Sequence, residues 1–330
     1  MDNILLSVKN LCVQFKSSEG LLNVLNGVSF DIARNESVGF VGESGCGKSV
    51  TARAIMRILD TNAALGGKIL LHSDQAESFD ITSYKSTDKK LQKMRGGRIA
   101  MIFQEPMSSL CPVYTVGNQI VEAIRLHSHH TKKEARELAI ENLSQVGISR
   151  PSQIVDSYPH QLSGGMRQRV VIAMALSCQP DLLIADEPTT ALDVTISAQI
   201  ILLLDELQKK MNLSIMMINH NMGVIAKTCS RVFVMYLGRI VESAPVELLF
   251  ASPKHPYTID LLGSIPSITM KRSSKLTHIK GHVPDLLNIP PGCTYHNRCS
   301  HYEKGICDTT VPEMITIDNA HSVSCHKYSP

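Results

Sequence analysis

The segment Gly42-Glu43-Ser44-Gly45-Cys46-Gly47-Lys48-Ser49 gathers glycines, a lysine and a hydroxyl side chain into one short stretch. Those residue types suit a phosphate. Glycine lets the backbone fold so that amide N–H groups point inward, and a helix that starts where the loop ends adds a favourable partial charge. The spacing fits the phosphate-loop pattern, in which Lys48 would reach the β- and γ-phosphates and the Ser49 hydroxyl would bind Mg²⁺. Gly42, Ser44, Gly45, Cys46, Gly47, Lys48, Ser49 and Val50 are the candidate nucleotide-binding residues, with Cys46 as a small filler and not a nucleophile. The loop by itself says only "nucleoside triphosphate".

A loop of this kind needs a strand before it and a helix after it. Val38 to Val41 reads as that strand and Ser49 to Leu59 as that helix. Ile4 to Val8, Ile99 to Phe103, Leu182 to Ala185, Ile215 to Ile218 and Val232 to Tyr236 are further short buried strands, each an apolar run between polar or turn residues. Helical patterns separate several of them, which predicts an α/β fold with a largely parallel sheet. Residues 72–95 are polar and irregular and are expected as a surface excursion. Thr131 and Glu134 form a capping-box pattern; Ala135, Leu138, Ala139, Leu143 and Val146 follow at helical spacing, and Gly147 is the expected stop. Residues 109–180 therefore read as mainly helical, inserted between two halves of a sheet domain. After residue 250 proline, histidine and cysteine rise and periodic helices disappear, so the chain is divided into 1–250 and 251–330.

Hydrophobic residues make up 43% and charged residues 19%, an ordinary globular composition. A net charge of +3 gives no argument for nucleic acid. No run approaches the ~18 apolar residues of a spanning helix. The N-terminus lacks a basic-then-apolar signal region, so the chain is expected in the cytoplasm, where its nine cysteines are not a disulfide framework.

Leu162-Ser163-Gly164-Gly165-Met166, followed by Gln168 and Arg169, resembles the signature motif of the ABC ATPases. Leu182-Leu183-Ile184-Ala185-Asp186-Glu187 resembles their Walker B strand, and Pro188 with Ala191-Leu192-Asp193 their D-loop. Gln104 resembles the Q-loop glutamine, and His220 the switch histidine, here flanked by Asn219 and Asn221 where the family more often has Thr or Ser before and Asp after. That departure puts the hydrogen bonds supporting His220 in question. The resemblance implies an ABC-type nucleotide-binding domain: a RecA-like parallel sheet core with antiparallel β and helical subdomains. It implies that Asp186, Ser49 and Gln104 serve Mg²⁺, that Glu187 orients and polarises the attacking water, and that His220 contacts the γ-phosphate. Ser163, Gly164 and Gly165 would face the nucleotide of a partner subunit. Phe15 lies where the family stacks an aromatic on adenine, and equally suits a strand core.

His255-Pro256-Tyr257-Thr258, Leu261-Leu262 and Ile265-Pro266 resemble the tail of dipeptide and oligopeptide importer ATPases, and the interior runs Gln104 to Leu110, Tyr158 to Leu162 and Pro188 to Thr195 point the same way. The resemblance is closest to the dipeptide importer ATPase. It implies two permease subunits, a second and different ATPase, an extracytoplasmic peptide-binding protein, and a place on the cytoplasmic face of the membrane. Nickel, glutathione and antimicrobial peptides stay open as cargo, and a non-transport ABC ATPase of DNA repair or ribosomes is the rival class. The tail carries Cys293, Cys299, Cys307 and Cys325, which makes it a small cysteine-containing C-terminal domain. Four thiolates suffice for a Cys₄ site. The resemblance favours a [4Fe–4S] cluster; structural Zn²⁺ and unligated or disulfide cysteines stay open, and His296, His301 or His326 could replace one ligand. Cys12, Cys111, Cys178 and Cys229 read as small core residues.

Overall fold

A strand buried on both faces must be apolar along its whole length. The stretches around Phe40, Ile184, Met216 and Val234 meet that condition, with exposures of 0%. A computed structural model of the protein describes residues 3–73, 78–105, 109–190, 192–265, 279–318 and 320–329; Pro106, Met107, Ser108, Ala191 and Pro266 of the expected motifs lie outside them. The strands in chain order are β1 (Ile4–Ser17), β2 (Gly20–Ala33), β3 (Ser37–Val41), β4 (Ala63–His72), β5 (Ser78–Asp80) and β6 (Ile99–Ile102). They continue with β7 (Leu182–Asp186), β8 (Ser214–Ile218), β9 (Arg231–Tyr236), β10 (Arg239–Pro245), β11 (Ile315–Asp318) and β12 (His321–Val323).

The main sheet has the order β11-β12-β10-β9-β3-β8-β7-β6. Its half from β9 to β6 is parallel, and β9, β10, β12 and β11 continue it antiparallel. A second, antiparallel sheet has the order β2-β1-β4-β5. The parallel strands thus open in the order the loops require: β3, β7, β8 and β6 all point their C-terminal ends the same way, and ligands of such sheets bind beyond those ends.

The helices are α1 (Lys48–Met56), α2 (Lys89–Gly97), α3 (Val116–His127), α4 (Lys132–Gln145), α5 (Pro151–Ile154), α6 (Gly164–Leu176), α7 (Val194–Met211), α8 (Met222–Thr228), α9 (Val246–Ala251) and α10 (Pro256–Gly263). The loop helix is shorter than expected because Arg57 turns into the left-handed region (φ 54°) and ends it. The capping box closes the start of α4: the Thr131 hydroxyl accepts from the Glu134 amide and the Glu134 carboxylate accepts from the Thr131 amide. Gly147, at φ 73°, ends the helix. β1 extends well past the expected Val8, because Leu11 and Val13 stay buried while Asn10 and Gln14 face solvent. The stretch expected to be irregular carries β5, a 3₁₀ turn and α2, anchored by buried Ile81, Leu91 and Met94, so it is packed onto the second sheet and not simply an excursion. Of the four scattered cysteines only Cys229 is a core residue; Cys12 and Cys178 are half-buried and Cys111 is exposed.

The sheet does not stop at residue 250. β12 pairs with the outer edge of β10, Glu242 to Val323 and Ser243 to Ser322. Glu242 is fully buried there, and its carboxylate accepts from the backbone amides of Lys254 and His255 and bonds His321 Nε2 at 2.7 Å.

Candidate active site

The loop after β3 is shaped by positions where a side chain does not fit. Gly42 sits at φ 146° with an added Cβ only 2.2 Å from the Met235 carbonyl oxygen, and Gly47 at φ 104° with an added Cβ 2.5 Å from Leu25 Cδ2. The backbone contact at Gly42 and the left-handed φ at both positions call for glycine. The chain enters α1 through Gly47, and Lys48, 7% exposed, folds back over the loop: its Nζ donates to the carbonyls of Gly42 (2.8 Å) and Glu43 (3.1 Å). Cys46 is buried beneath it, and burial raises its thiol pKa against the opposing effect of the Lys48 charge, so it persists as a neutral thiol. That agrees with a filler and not a nucleophile.

β7 delivers the two carboxylates. The Ser49 hydroxyl donates to Asp186 Oδ1 at 3.0 Å, which joins the hydroxyl and carboxylate expected to serve Mg²⁺. Burial pushes the Asp186 carboxyl above its ordinary value, and the Ser49 bond opposes the rise. Oxygen donors of this kind suit a hard divalent cation. Glu187 leaves the strand in the left-handed region at φ 47°, held by its amide donating to the Ile218 carbonyl at 2.9 Å. Three side chains converge on Glu187 Oε2: Gln104 Nε2 at 3.2 Å, Thr190 Oγ1 at 3.0 Å and His220 Nδ1 at 3.5 Å. Thus the expected Gln104, Glu187 and His220 are brought together, with Thr190 as a fourth member that motif reading did not assign.

The two asparagines beside His220 bond to each other and to the start of α8, and these bonds do not involve the His220 side chain. Asn219, 2% exposed, accepts from the Asn221 amide at 2.8 Å, and the Asn221 side chain caps α8 by accepting from the Gly223 amide at 2.9 Å. The signature residues are not part of this group. Ser163 caps α6, accepting from the Met166 amide at 3.3 Å; a Cβ on Gly165 would lie 2.7 Å from Ile196 Cγ2, so α6 and α7 meet closely there. Asp193 caps α7 through the Ile196 amide at 2.9 Å. Phe15 is half-buried on β1, opposite Leu22 and Ala63. Val50 is half-buried in α1, packed against the apolar cluster that includes Phe40, Ile55 and Met235.

Cys293, Cys299, Cys307 and Cys325 line one cavity of about 350 Å³, together with His296, His301 and His326. Burial pushes Cys293 up to about 11 against the lowering effect of the Tyr295 backbone hydrogen bond, the neighbouring thiols adding to the rise, and burial raises Cys299 and Cys325 as well. Among the described residues no group of three or more His, Cys, Asp or Glu is arranged to hold a metal ion. His296 Nδ1 is turned to the Cys293 carbonyl and His326 Nε2 to the Thr310 carbonyl, which occupies one ring nitrogen of each.

A phosphate loop on β3, paired carboxylates on β7, a glutamine after β6 and a histidine after β8 are the working parts of an ABC-type ATPase. Residues 25–190 match the family model described as ABC transporter, and residues 241–307 that described as oligopeptide/dipeptide transporter, C-terminal region. The oligopeptide transport ATP-binding protein AppD of Bacillus subtilis is 48% identical over 98% of this chain and 97% of its own length. The dipeptide transport ATP-binding protein DppD of Haemophilus influenzae is 45% identical over 98% of this chain and 95% of its own. Among solved structures, the dimeric ATP-binding cassette MJ0796 bound to ADP and Pi has a TM-score of 0.63 at 26% identity, covering 73% of this chain and 98% of that one. The chain belongs to the ABC transporter ATP-binding subunits, in their dipeptide/oligopeptide importer family. Among the described residues no helix is long and apolar enough to cross a membrane.

Proposed function

We propose that this chain hydrolyses ATP to drive uptake of dipeptides or short oligopeptides, as a peripheral subunit on the cytoplasmic face of the membrane. The match of residues 241–307 to the oligopeptide/dipeptide transporter C-terminal region carries the cargo class. Residues 1–250 act as the nucleotide-binding part and 251–330 as a small cysteine-containing C-terminal part. Two permease subunits, a second ATPase and an extracytoplasmic peptide-binding protein complete the assembly.

In this reading the amides of the loop from Gly42 to Ser49 cradle the phosphates, Lys48 neutralises them, and Phe15 stacks on the base. Mg²⁺, held by Ser49 and Asp186 with Gln104 nearby, would supply charge neutralisation at the phosphates. Glu187 takes the proton of the attacking water, and His220 and Gln104 hold that carboxylate and the γ-phosphate in register. Their convergence on one Glu187 oxygen, all within 3.5 Å, supports those roles. Ser163, Gly164 and Gly165, with Asp193 beside them, complete the site of a facing subunit; within this chain the Ser163 hydroxyl caps α6. Cys293, Cys299, Cys307 and Cys325 would hold a [4Fe–4S] cluster, with Zn²⁺ as the alternative; a shared cavity with four soft donors supports a thiolate-bound group.

The test is uptake of labelled dipeptides by cells lacking this chain, restored with the normal chain or with Lys48→Ala. Restoration by the normal chain alone supports the reading. Undiminished uptake in cells without any other peptide importer sends the cargo assignment to metals, glutathione or defence peptides.

A further inference from the structure

Glu43 is out of place in a loop that must hold an anion. It is the second residue of the phosphate loop, and a carboxylate there would repel a triphosphate unless something cancels it. The cancelling charge comes from the far end of the chain. Arg298 Nη1 donates to Glu43 Oε2 at 2.7 Å and Nη2 to Oε1 at 3.1 Å, a paired geometry, with the Arg298 side chain only 5% exposed. Arg298 is itself held: Nε donates to the Lys280 carbonyl at 2.8 Å and Nη1 to the Tyr236 hydroxyl at 3.3 Å. The Glu43 amide donates to the hydroxyl of buried Tyr257 at 2.8 Å. Tyr236, Tyr257 and Tyr295 pack their rings against one another around this point, with centroids 4.7 to 5.3 Å apart.

The remaining polar group of Glu43 turns the other way. Its carbonyl accepts from Lys48 Nζ at 3.1 Å and from the Cys46 amide at 3.3 Å. Glu43 is thus a link with its amide and carboxylate fixed to the C-terminal segment and its carbonyl fixed to the lysine that reaches phosphate. We propose that Arg298 and Tyr257 are positioning residues of the ATP site: they neutralise and anchor Glu43, and through it set the place of Lys48. This rests on the phosphate-loop reading above. Arg298 also lies beside Cys299 in sequence, so the segment bearing the cysteines and the phosphate loop are mechanically joined by one side chain.

The proposal makes a prediction that loss of stability alone does not. In Arg298→Gln the Glu43 carboxylate is left bare beside the nucleotide, and MgATP should bind about tenfold more weakly, the equivalent of ~1.4 kcal/mol. Adding Glu43→Gln removes the offending charge, and the double variant should recover to within about twofold of the parent. The experiment is titration of the purified full-length chain with a fluorescent ATP analogue in Mg²⁺, with thermal melts of each variant and Lys48→Ala as the reference for a lost site. If Lys48→Ala binds as the parent does, the phosphate-loop reading fails. If Lys48→Ala loses binding while Arg298→Gln retains parental affinity, or if the double variant binds no better than Arg298→Gln, the positioning role is overturned and the ATP site stands. Should Arg298→Gln not fold, Tyr257→Phe deletes one hydroxyl: a threefold or greater weakening supports the anchor, at about the worth of one hydrogen bond, and unchanged affinity overturns it.

Discussion

Replacing Glu187 by glutamine changes one atom of the candidate site and separates binding from chemistry. Glutamine keeps the side-chain length, and its amide oxygen still accepts from Gln104 Nε2 and Thr190 Oγ1, which now lie at 3.2 and 3.0 Å. The backbone at φ 47° is held by the Ile218 and Thr190 bonds and does not depend on the carboxylate. What disappears is the group able to take a proton. Loss of a general base costs roughly 10²–10⁴ in rate, or about 2.7–5.4 kcal/mol of barrier at 1.36 kcal/mol per decade. Glu187→Gln should therefore bind MgATP like the parent, turn over at least about 100-fold more slowly, and accumulate an ATP-bound dimer visible by size-exclusion chromatography. The assay is phosphate release at saturating ATP beside equilibrium binding. A turnover within about tenfold of the parent would refute the base assignment, and a parallel loss of binding would place Glu187 among the residues that hold nucleotide.

Gly42→Ala puts a methyl 2.2 Å from the Met235 carbonyl at a left-handed φ, so it should abolish MgATP binding and lower the melting temperature, the strain being on the order of 1–3 kcal/mol; binding at parental affinity would show that the loop re-forms around the side chain. Alkylation of the native protein followed by mass spectrometry should label exposed Cys111 first, while Cys46 and Cys229 stay protected until unfolding: both are buried and burial pushes Cys229 up to about 12. Protein purified without oxygen should contain about four iron and four acid-labile sulfide per chain and lose both in Cys293→Ser; stoichiometric zinc without iron would reverse the cluster assignment.

What the sequence made legible follows from distance along the chain. β3, β7 and β8 are largely apolar runs, and the loops that follow them carry the residues of the phosphate loop, the paired carboxylates and His220, so the parallel core and the placing of these residues at its strand ends could be read directly. β2 is harder to read: buried Val28, Phe30 and Ile32 alternate with exposed Gly27, Ser29 and Asp31, so the stretch is not a continuous apolar run. β12 has three residues and is held between β10 and β11, so its pairing and not its own sequence makes it a strand. Glu43 and Arg298 are 255 positions apart, and no local pattern pairs them. A signal was present nonetheless: a carboxylate inside an anion-binding loop calls for a buried cation somewhere. The unusual asparagines around His220 illustrate the converse, since hydrogen-bonding capacity and not residue identity is what the strand end and the helix cap require.

The closure of β12 onto β10 has a bearing on the order in which the protein becomes itself. Synthesis runs from the N-terminus at about 5–20 residues per second. The phosphate loop leaves the ribosome early, yet the strand that covers the β10 edge, the His321 that bonds buried Glu242 and the Arg298 that answers Glu43 all lie in the final stretch. For those residues alone, from 251 onward, the wait is roughly 4–16 seconds at that rate. During it the nascent chain carries an uncovered sheet edge, a template for pairing with other chains, and a carboxylate without its partners. A nascent chain that lacks these residues would expose the β10 edge and leave Glu242 and Glu43 without these partners, which favours aggregation or proteolysis.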